Sequence, residues 1–145
     1  MNYKTHLAFG IFVSLLVLKV IHIENQILFV IICAFFALLP DIDQSRSKFG
    51  RQFRPLSFVL KHRGVMHSIW VPLILTFAVY PLSFDLSLAI FIGYFSHLFT
   101  DSLTKNGIKF AWPLGWKARG FATTGGKMEM VFFVVTSLLV VWMLL

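Results

Sequence analysis

Five long apolar segments, separated by short polar or basic stretches, make up most of this chain. They run over residues 6–23, 26–39, 65–80, 86–100 and 128–145. Such segments predict membrane-embedded helices, although several are shorter than the roughly 20 residues that cross the hydrocarbon core unaided. Local thinning of the bilayer, or burial of helix ends in protein, can accommodate the short ones. We therefore predict an all-α fold, an integral membrane bundle of about five embedded helices.

Composition supports this class. Hydrophobic residues make up 58% of the chain, charged residues 13%, and the mean hydropathy is +0.82. A soluble domain of 145 residues could not bury so much apolar surface. The length predicts a single domain over residues 1–145. The single cysteine, Cys33, excludes an intramolecular disulfide and a cysteine-based metal cluster.

The positive charges predict the orientation of the chain. Twelve of the thirteen cations fall before the first segment or in the loops 41–64 and 101–127, and Lys19 is the exception. The positive-inside rule then places the N-terminus and both basic loops in the cytoplasm, in a multi-pass protein of the inner (plasma) membrane. We expect the loops to contact anionic lipid headgroups, so the net charge of +7 requires no nucleic-acid partner. The oligomeric state stays open.

Acidic and histidine side chains gather on the side of the basic loops. Three such residues, His22, Glu24 and Asp85, lie on the other side. Acids and imidazoles are costly near lipid, so their concentration in one layer predicts a functional site. The gathered residues are His6, Asp41, Asp43, His62, His67, His97, Asp101 and Glu129.

The segment LLPDID ends the second predicted helix, because Pro40 disfavours a helical conformation in the residue before it. Asp41 and Asp43 are two positions apart, so in an extended or turn segment they point to the same side. Paired carboxylates suit divalent ions, which prefer anionic oxygen ligands. The alternative is a solvated polar helix end.

Two further motifs carry histidine. In HRGVMHS, we expect His67 in the first turn of the third helix and His62 just outside it. Neutral histidine is a common zinc ligand, whereas the alternative is a pair of interfacial anchors. In HLFTD, His97 and Asp101 have the i, i+4 spacing that places both on one helix face. The alternative is a hydrogen bond that closes the helix end.

His6 and Glu129 begin the first and last predicted helices. A carboxylate at a helix N-terminus also interacts favourably with the helix dipole, which is an alternative explanation for Glu129. If the five helices pack together, all these groups converge on one face of the bundle.

Taken together, THLAFG, LLPDID, HRGVMHS and GYFSHLFTDSLTKNGIKFAWPLG resemble, in order and spacing, the YdjM-like family of predicted membrane-bound metal-dependent hydrolases. The resemblance covers nearly the whole chain. It implies a multi-helix inner-membrane protein with a metal-dependent hydrolase site. The ligand types are also loosely similar to those of zinc-dependent phospholipase C enzymes, but their N-terminal Trp ligand is missing and the spacing differs. By motif, the implied site residues are His6, Asp41, Asp43, His62, His67, His97 and Asp101, with Glu129 in a weaker C-terminal block.

These observations lead to the hypothesis of a metal-assisted hydrolase at the cytoplasmic membrane face. One or two divalent ions are expected, zinc first because of the histidine content, with manganese or magnesium as alternatives. A lipid phosphoester is the first candidate substrate, since it would reach the site from the membrane. The expected ligands are Asp43, His67, His97 and Asp101, with His6 and Asp41 completing a second site or surrounding the first.

Three residues are expected to act on the substrate. Asp41 or Glu129 would take a proton from the attacking water. His62, beside Arg63, would hold an anionic group of the substrate.

The rival hypothesis is a non-enzymatic membrane protein, with a structural metal site or with a cation path. A structural site would be closed by protein ligands, whereas a hydrolase keeps one position open for water. Polar residues in the middle of the segments are few, chiefly Ser14 and Thr76, which disfavours transport.

Overall fold

The computed structural model describes residues 1–43 and 65–145, and of Ile42 and Asp43 only the backbone. Over these ranges the fold is all-α, as predicted, and two isolated bridges in the loop 103–126 are its β-type pairings. A 3-10 helix, Leu39–Asp43, directly follows α2. The α-helices are α1 (Tyr3–Val20), α2 (Gln26–Leu38), α3 (Trp70–Val79), α4 (Phe84–Ser102) and α5 (Lys127–Leu144).

Two of these helices, α1 and α5, are long and apolar enough to cross a membrane. Each has 18 residues, which rise about 27 Å, close to the thickness of the hydrocarbon core. The apolar helices α2 and α3 have only 13 and 10 residues. α4 has 19 residues but is less apolar along its length, because serine, threonine, histidine and aspartate interrupt it. The prediction of five embedded helices is therefore not confirmed; two candidate spans are.

The helices form two hairpins with capped connections. The side chain of Asn25 accepts a hydrogen bond from the backbone N–H of Leu28 at the start of α2. The hydroxyl of Ser83 does the same for Leu86 at the start of α4. Such caps satisfy one of the backbone donors that a helix leaves free at its N-terminus. The tight connections α1–α2 and α3–α4 thus occur where the sequence predicted them.

The third helix begins five residues later than predicted, at Trp70 rather than Val65. Pro72 explains the difference, because proline has no N–H and is tolerated in the first turn of a helix but not in its interior. His67 consequently lies in a turn before α3 and not in the first turn of that helix. The hydroxyl of Tyr94 on α4 holds this turn by donating a 2.6 Å hydrogen bond to the carbonyl of Met66.

α4 is the central helix and packs against α1, α2 and α3, whereas α5 packs against α1. One half of the core, near the α1–α2 connection, is built around Phe29, Cys33 and Ala89. The other half is built around Tyr94 and Leu98, with the loop that follows α4 packed against them. Acidic and histidine residues lie at this second end of the bundle.

The loop between α4 and α5 folds back over the same end. Ile108 is buried with Tyr94 and Leu98, and the carbonyl of Phe110 accepts a 2.9 Å hydrogen bond from the N–H of Ile69. These contacts fix the loop to the turn before α3. The end of the bundle that carries the acids and histidines is therefore partly covered by protein.

Candidate metal centre

Three separate parts of the chain contribute to one polar cluster. The 3-10 helix after α2 provides Asp41, the turn before α3 provides His67, and α4 provides His97 and Asp101. One ligand atom of each of these four residues lies within 4.8 Å of the ligand atoms of the other three. We call Asp41, His67, His97 and Asp101 the four-residue cluster.

The polar face of α4 explains why this helix contributes two members. Gly93 precedes His97 by four positions, and Thr100 and Asp101 follow it by three and four, so all of them share one face of the helix. This face is buried against α1 and α2, and the side chain of His97 is fully inaccessible to solvent. A helix whose buried face carries polar groups needs partners for them, which the neighbouring elements provide.

Glycines allow the three helices to approach closely enough for these residues to meet. A Cβ atom added at Gly93 would lie within 3.0 Å of three backbone atoms of Cys33 on α2. At Gly10 on α1, it would lie 2.6 Å from the Cβ of Ala37 on α2. Small residues at such contacts are typical of helices that pack in membranes. They bring the ends of α1, α2 and α4 together at the cluster.

The distances within the four-residue cluster fit an ion better than they fit direct hydrogen bonds. Oδ2 of Asp101 lies 3.7 Å from Nε2 of both His67 and His97, and Oδ1 of Asp41 lies 3.8 Å from Nε2 of His97. Hydrogen bonds between nitrogen and oxygen are usually about 2.7 to 3.2 Å long. Ligands bound at about 2.1 Å around a tetrahedral zinc ion lie about 3.4 Å apart. The observed spacing is close to the latter value.

His6 on α1 is the fifth member of the assembly. Its Nε2 lies 3.2 Å from Oδ1 of Asp101 and 4.0 Å from Oδ2 of Asp41. Its ring stacks on that of His97, with centroids 3.9 Å apart and planes inclined by 16°. His6 therefore faces the same two carboxylates as His97, from a neighbouring position.

Hydrogen bonds at Nδ1 fix the orientation of both rings. Nδ1 of His97 lies 2.8 Å from the carbonyl of Ala37, and since a carbonyl only accepts, this nitrogen carries the hydrogen. Nδ1 of His6 lies 2.7 Å from Oγ1 of Thr100. That hydroxyl donates its hydrogen to a backbone carbonyl one turn earlier on α4, so it accepts from His6. Histidines that bind metal ions are usually oriented by such a bond.

Both rings thus direct Nε2 towards the carboxylates. Within the described part of the chain, Nε2 of His6 and of His97 have no hydrogen-bond partner, although both atoms are fully buried. Two acceptor atoms that face each other at about 3 to 4 Å repel unless a proton or a cation lies between them. A divalent ion would satisfy these groups together.

Asp101 provides negative charge at the centre of the assembly. It lies one residue beyond the predicted span 86–100. Burial raises the pKa of its carboxyl, but its contacts with His6 and with the Met1 amino group lower that pKa more. The pKa therefore lies well below its ordinary range, and Asp101 is an anion at neutral pH. The α-amino group of Met1 itself contacts Oδ1 of Asp101.

Glu129 lies apart from the four-residue cluster and holds α1 in place. Its carboxylate accepts hydrogen bonds from the backbone N–H of Asn2, from the hydroxyl of Thr5 at 3.0 Å and from the backbone N–H of Gly125 at 2.5 Å. An anion at a helix N-terminus satisfies free N–H groups and interacts favourably with the helix dipole. Glu129 on α5 therefore stabilises the first turn of α1, which carries His6.

Comparison with known proteins identifies a family and several relatives of this chain. The family described as YdjM inner membrane protein matches residues 1–145. The chain belongs to this family. It is 41% identical to the uncharacterized protein YvsG of Bacillus subtilis (strain 168), over 53% of this chain and 52% of YvsG. It is 28% identical to the inner membrane protein YdjM of Escherichia coli (strain K12), over 66% of this chain and 67% of that protein.

The match to YvsG thus spans about half the length of that relative. No solved structure is significantly similar to the chain. Membership of the YdjM family confirms the family predicted from the motifs, and it is a family of membrane proteins.

Most of the residues implied by the family motifs converge. His6, Asp41, His67, His97 and Asp101 meet at one end of the bundle. Glu129 is directed instead to the N-terminus of α1. His62 and the side chain of Asp43 lie outside the described residues.

Two contributors were missed at the sequence level. Thr100 and the carbonyl of Ala37 orient the two stacked histidines. The position of Thr100 on the polar face of α4, three residues after His97, is a signal that could have indicated it. A backbone carbonyl leaves no signal in the sequence.

Proposed function

We propose that this protein is a metal-dependent hydrolase of the inner membrane with its site at the cytoplasmic face. The observation that carries the proposal is the buried convergence of two oriented imidazoles on two carboxylates. Burying imidazoles and carboxylates away from water is costly, so a protein retains them where a bound ion or a reaction requires them.

The donor set favours a divalent transition metal. Asp41, His67, His97 and Asp101 offer two imidazole nitrogens and two carboxylates, a mixture that suits zinc, iron or manganese better than magnesium or calcium. We propose zinc as the first candidate because a tetrahedral shell of four such ligands is its usual environment.

Such an ion lowers the pKa of a bound water towards about 7 and polarises a phosphoryl or carbonyl oxygen. The protein's own residues hold the ion and move the proton. Asp41 is the better proton acceptor of the two acids expected in this role, because its side chain is 14% exposed and belongs to the four-residue cluster. Glu129 already accepts three hydrogen bonds at α1, so we assign it to positioning that helix.

The surroundings of the centre favour an anionic substrate that reaches it from the membrane surface. The loop between α4 and α5 carries Lys105, Lys109, Lys117 and Arg119 beside the site end of the bundle. It also exposes Trp116, whose ring is typical of the interface between lipid and water. We therefore propose a lipid phosphoester as substrate and anionic headgroups as the surroundings of this loop.

A second candidate function is a structural metal clip. The four-residue cluster already supplies four protein ligands, and structural zinc sites are closed in this way. In that case the ion would join the 3-10 helix, the turn before α3 and α4 without any turnover.

Hydrolysis assays distinguish the two functions. The protein, purified in detergent and loaded with zinc or manganese, would be assayed against lipid phosphomonoesters, lipid phosphodiesters and a chromogenic aryl phosphate. We expect the wild type to release phosphate or alcohol in a metal-dependent reaction. His97→Gln should be at least about 100-fold slower, since removal of a metal ligand costs more activity than removal of a hydrogen-bond partner of that ligand. His22→Gln, at the exposed opposite end, is the matched control. Bound metal without turnover of any ester would favour the structural clip.

A further inference from the structure

We propose that the centre holds a second divalent ion, bound by His6 and Oδ1 of Asp101, so that Asp101 bridges two ions. This inference rests on the proposed metal centre and adds a position beside the four-residue cluster. The first ion would be held by the cluster, and the second would lie on the side of α1.

The two oxygens of Asp101 are directed to different partners. Oδ2 faces His67 and His97 at 3.7 Å, whereas Oδ1 faces His6 at 3.2 Å. A single ion would draw all of these groups towards one point. A carboxylate whose oxygens serve two separate sets of imidazoles is instead the arrangement of a bridging ligand between two ions.

Asp41 shows the same division. Its Oδ1 lies 3.8 Å from Nε2 of His97, and its Oδ2 lies 4.0 Å from Nε2 of His6. Oδ2 therefore faces the second position and can accept a proton there, while Oδ1 faces the first. With His6 and Asp101 as its ligands among the described residues, the second position would have coordination sites left for water and substrate, unlike the first.

The stacking of the two rings sets the separation. The rings of His6 and His97 are nearly parallel with centroids 3.9 Å apart, and each donates its Nδ1 hydrogen away from the centre. Ions bound at the two Nε2 atoms would therefore lie about one ring spacing apart. Hydrolytic two-metal sites have ions about 3.5–4 Å apart, where they stabilise the attacking and leaving oxygens of a phosphoester.

The α-amino group of Met1 is the competing cation at this position. It contacts the same Oδ1 of Asp101 and is buried. A metal ion at this position would have to displace the amino group from Oδ1. Metal stoichiometry shows whether it does.

The test counts ions in the full-length protein purified in detergent. The apoprotein would be titrated with Mn²⁺, the bound metal counted by elemental mass spectrometry, and the spin coupling recorded by electron paramagnetic resonance. We expect two ions per chain in the wild type and one in His6→Gln, with the signal of coupled ions replaced by that of an isolated ion. His22→Gln, the matched control, should keep two.

A second variant covers the case in which His6→Gln does not fold. Thr100→Val keeps the shape of the side chain but removes the acceptor of the His6 Nδ1 hydrogen. This variant should lower the affinity for the second ion about 10- to 100-fold and leave the affinity for the first ion unchanged, as expected for loss of a residue that orients a ligand.

The other outcomes overturn the inference in distinguishable ways. If the wild type binds one ion, and His6→Gln or Thr100→Val binds that ion equally well, the second position does not exist. The first position would still be supported. Loss of both ions in a folded His6→Gln protein would assign His6 to the first ion. No bound ion in the wild type would remove the proposed metal centre itself.

Discussion

Asp101→Asn is expected to remove most of the stabilisation of this protein by divalent metal. The Asp101 carboxylate lies within 3.7 Å of the Nε2 atoms of three histidines, which places it at the centre of the assembly. A neutral amide of the same shape removes the negative charge and one oxygen ligand. An ion at about 1,000 times its Kd stabilises the folded wild type by about 4 kcal/mol, and the variant should lose most of this gain.

The measurement is the unfolding temperature in detergent with and without Zn²⁺. Asp85→Asn is the matched control, because Asp85 lies at the other end of α4, where it accepts a hydrogen bond from the N–H of Glu24. This control should keep the full metal-induced shift. An unchanged shift in Asp101→Asn would show that the stabilising ion binds elsewhere.

Gly93→Ala is expected to have the largest effect on the fold. The added methyl group would meet the backbone of Cys33, which cannot yield as a flexible side chain does. Overpacking of this kind costs about 1–3 kcal/mol, and α2 would move away from α4. Because α2 leads into the 3-10 helix that carries Asp41, metal affinity should fall together with stability.

Gly115→Ala provides the control for this change. No atom lies within 4 Å of the Cβ that it would add, although its φ of +74° makes alanine strained by about 1 kcal/mol. It should lower the unfolding temperature slightly and leave metal affinity unchanged. If Gly93→Ala binds metal as tightly as the wild type, the close approach of α2 and α4 does not determine the geometry of the centre.

The helical fold could be predicted from the sequence because it depends on local patterns, and so could the helix ends at which His6, Asp41, His97 and Asp101 lie. Apolar runs indicate helices directly, and the i, i+4 spacing of His97 and Asp101 places them on one helix face wherever the helix packs. His6 and Asp41 followed from their positions at helix ends. Their convergence needed only the assumption that the helices pack side by side.

The parts that the sequence alone could not decide depend on tertiary contacts. Glu129 has the same place in the sequence whether it serves its own helix, a metal ion or a neighbouring helix, and only packing directs it to Thr5. Five embedded helices were predicted where two candidate spans are found, because a short apolar helix such as α2 is equally consistent with burial in protein. The late start of α3 was encoded by Pro72, since a helix from Val65 would have placed this proline in its interior.

Metal content of the purified wild-type protein tests the central claim most directly. The protein would be extracted in detergent without chelator, incubated with Zn²⁺ or Mn²⁺, desalted and measured by elemental mass spectrometry. The account predicts at least one tightly held ion per chain, retained through desalting. A protein that is folded and monodisperse but retains no ion would contradict the metal centre and the hydrolase proposed to use it.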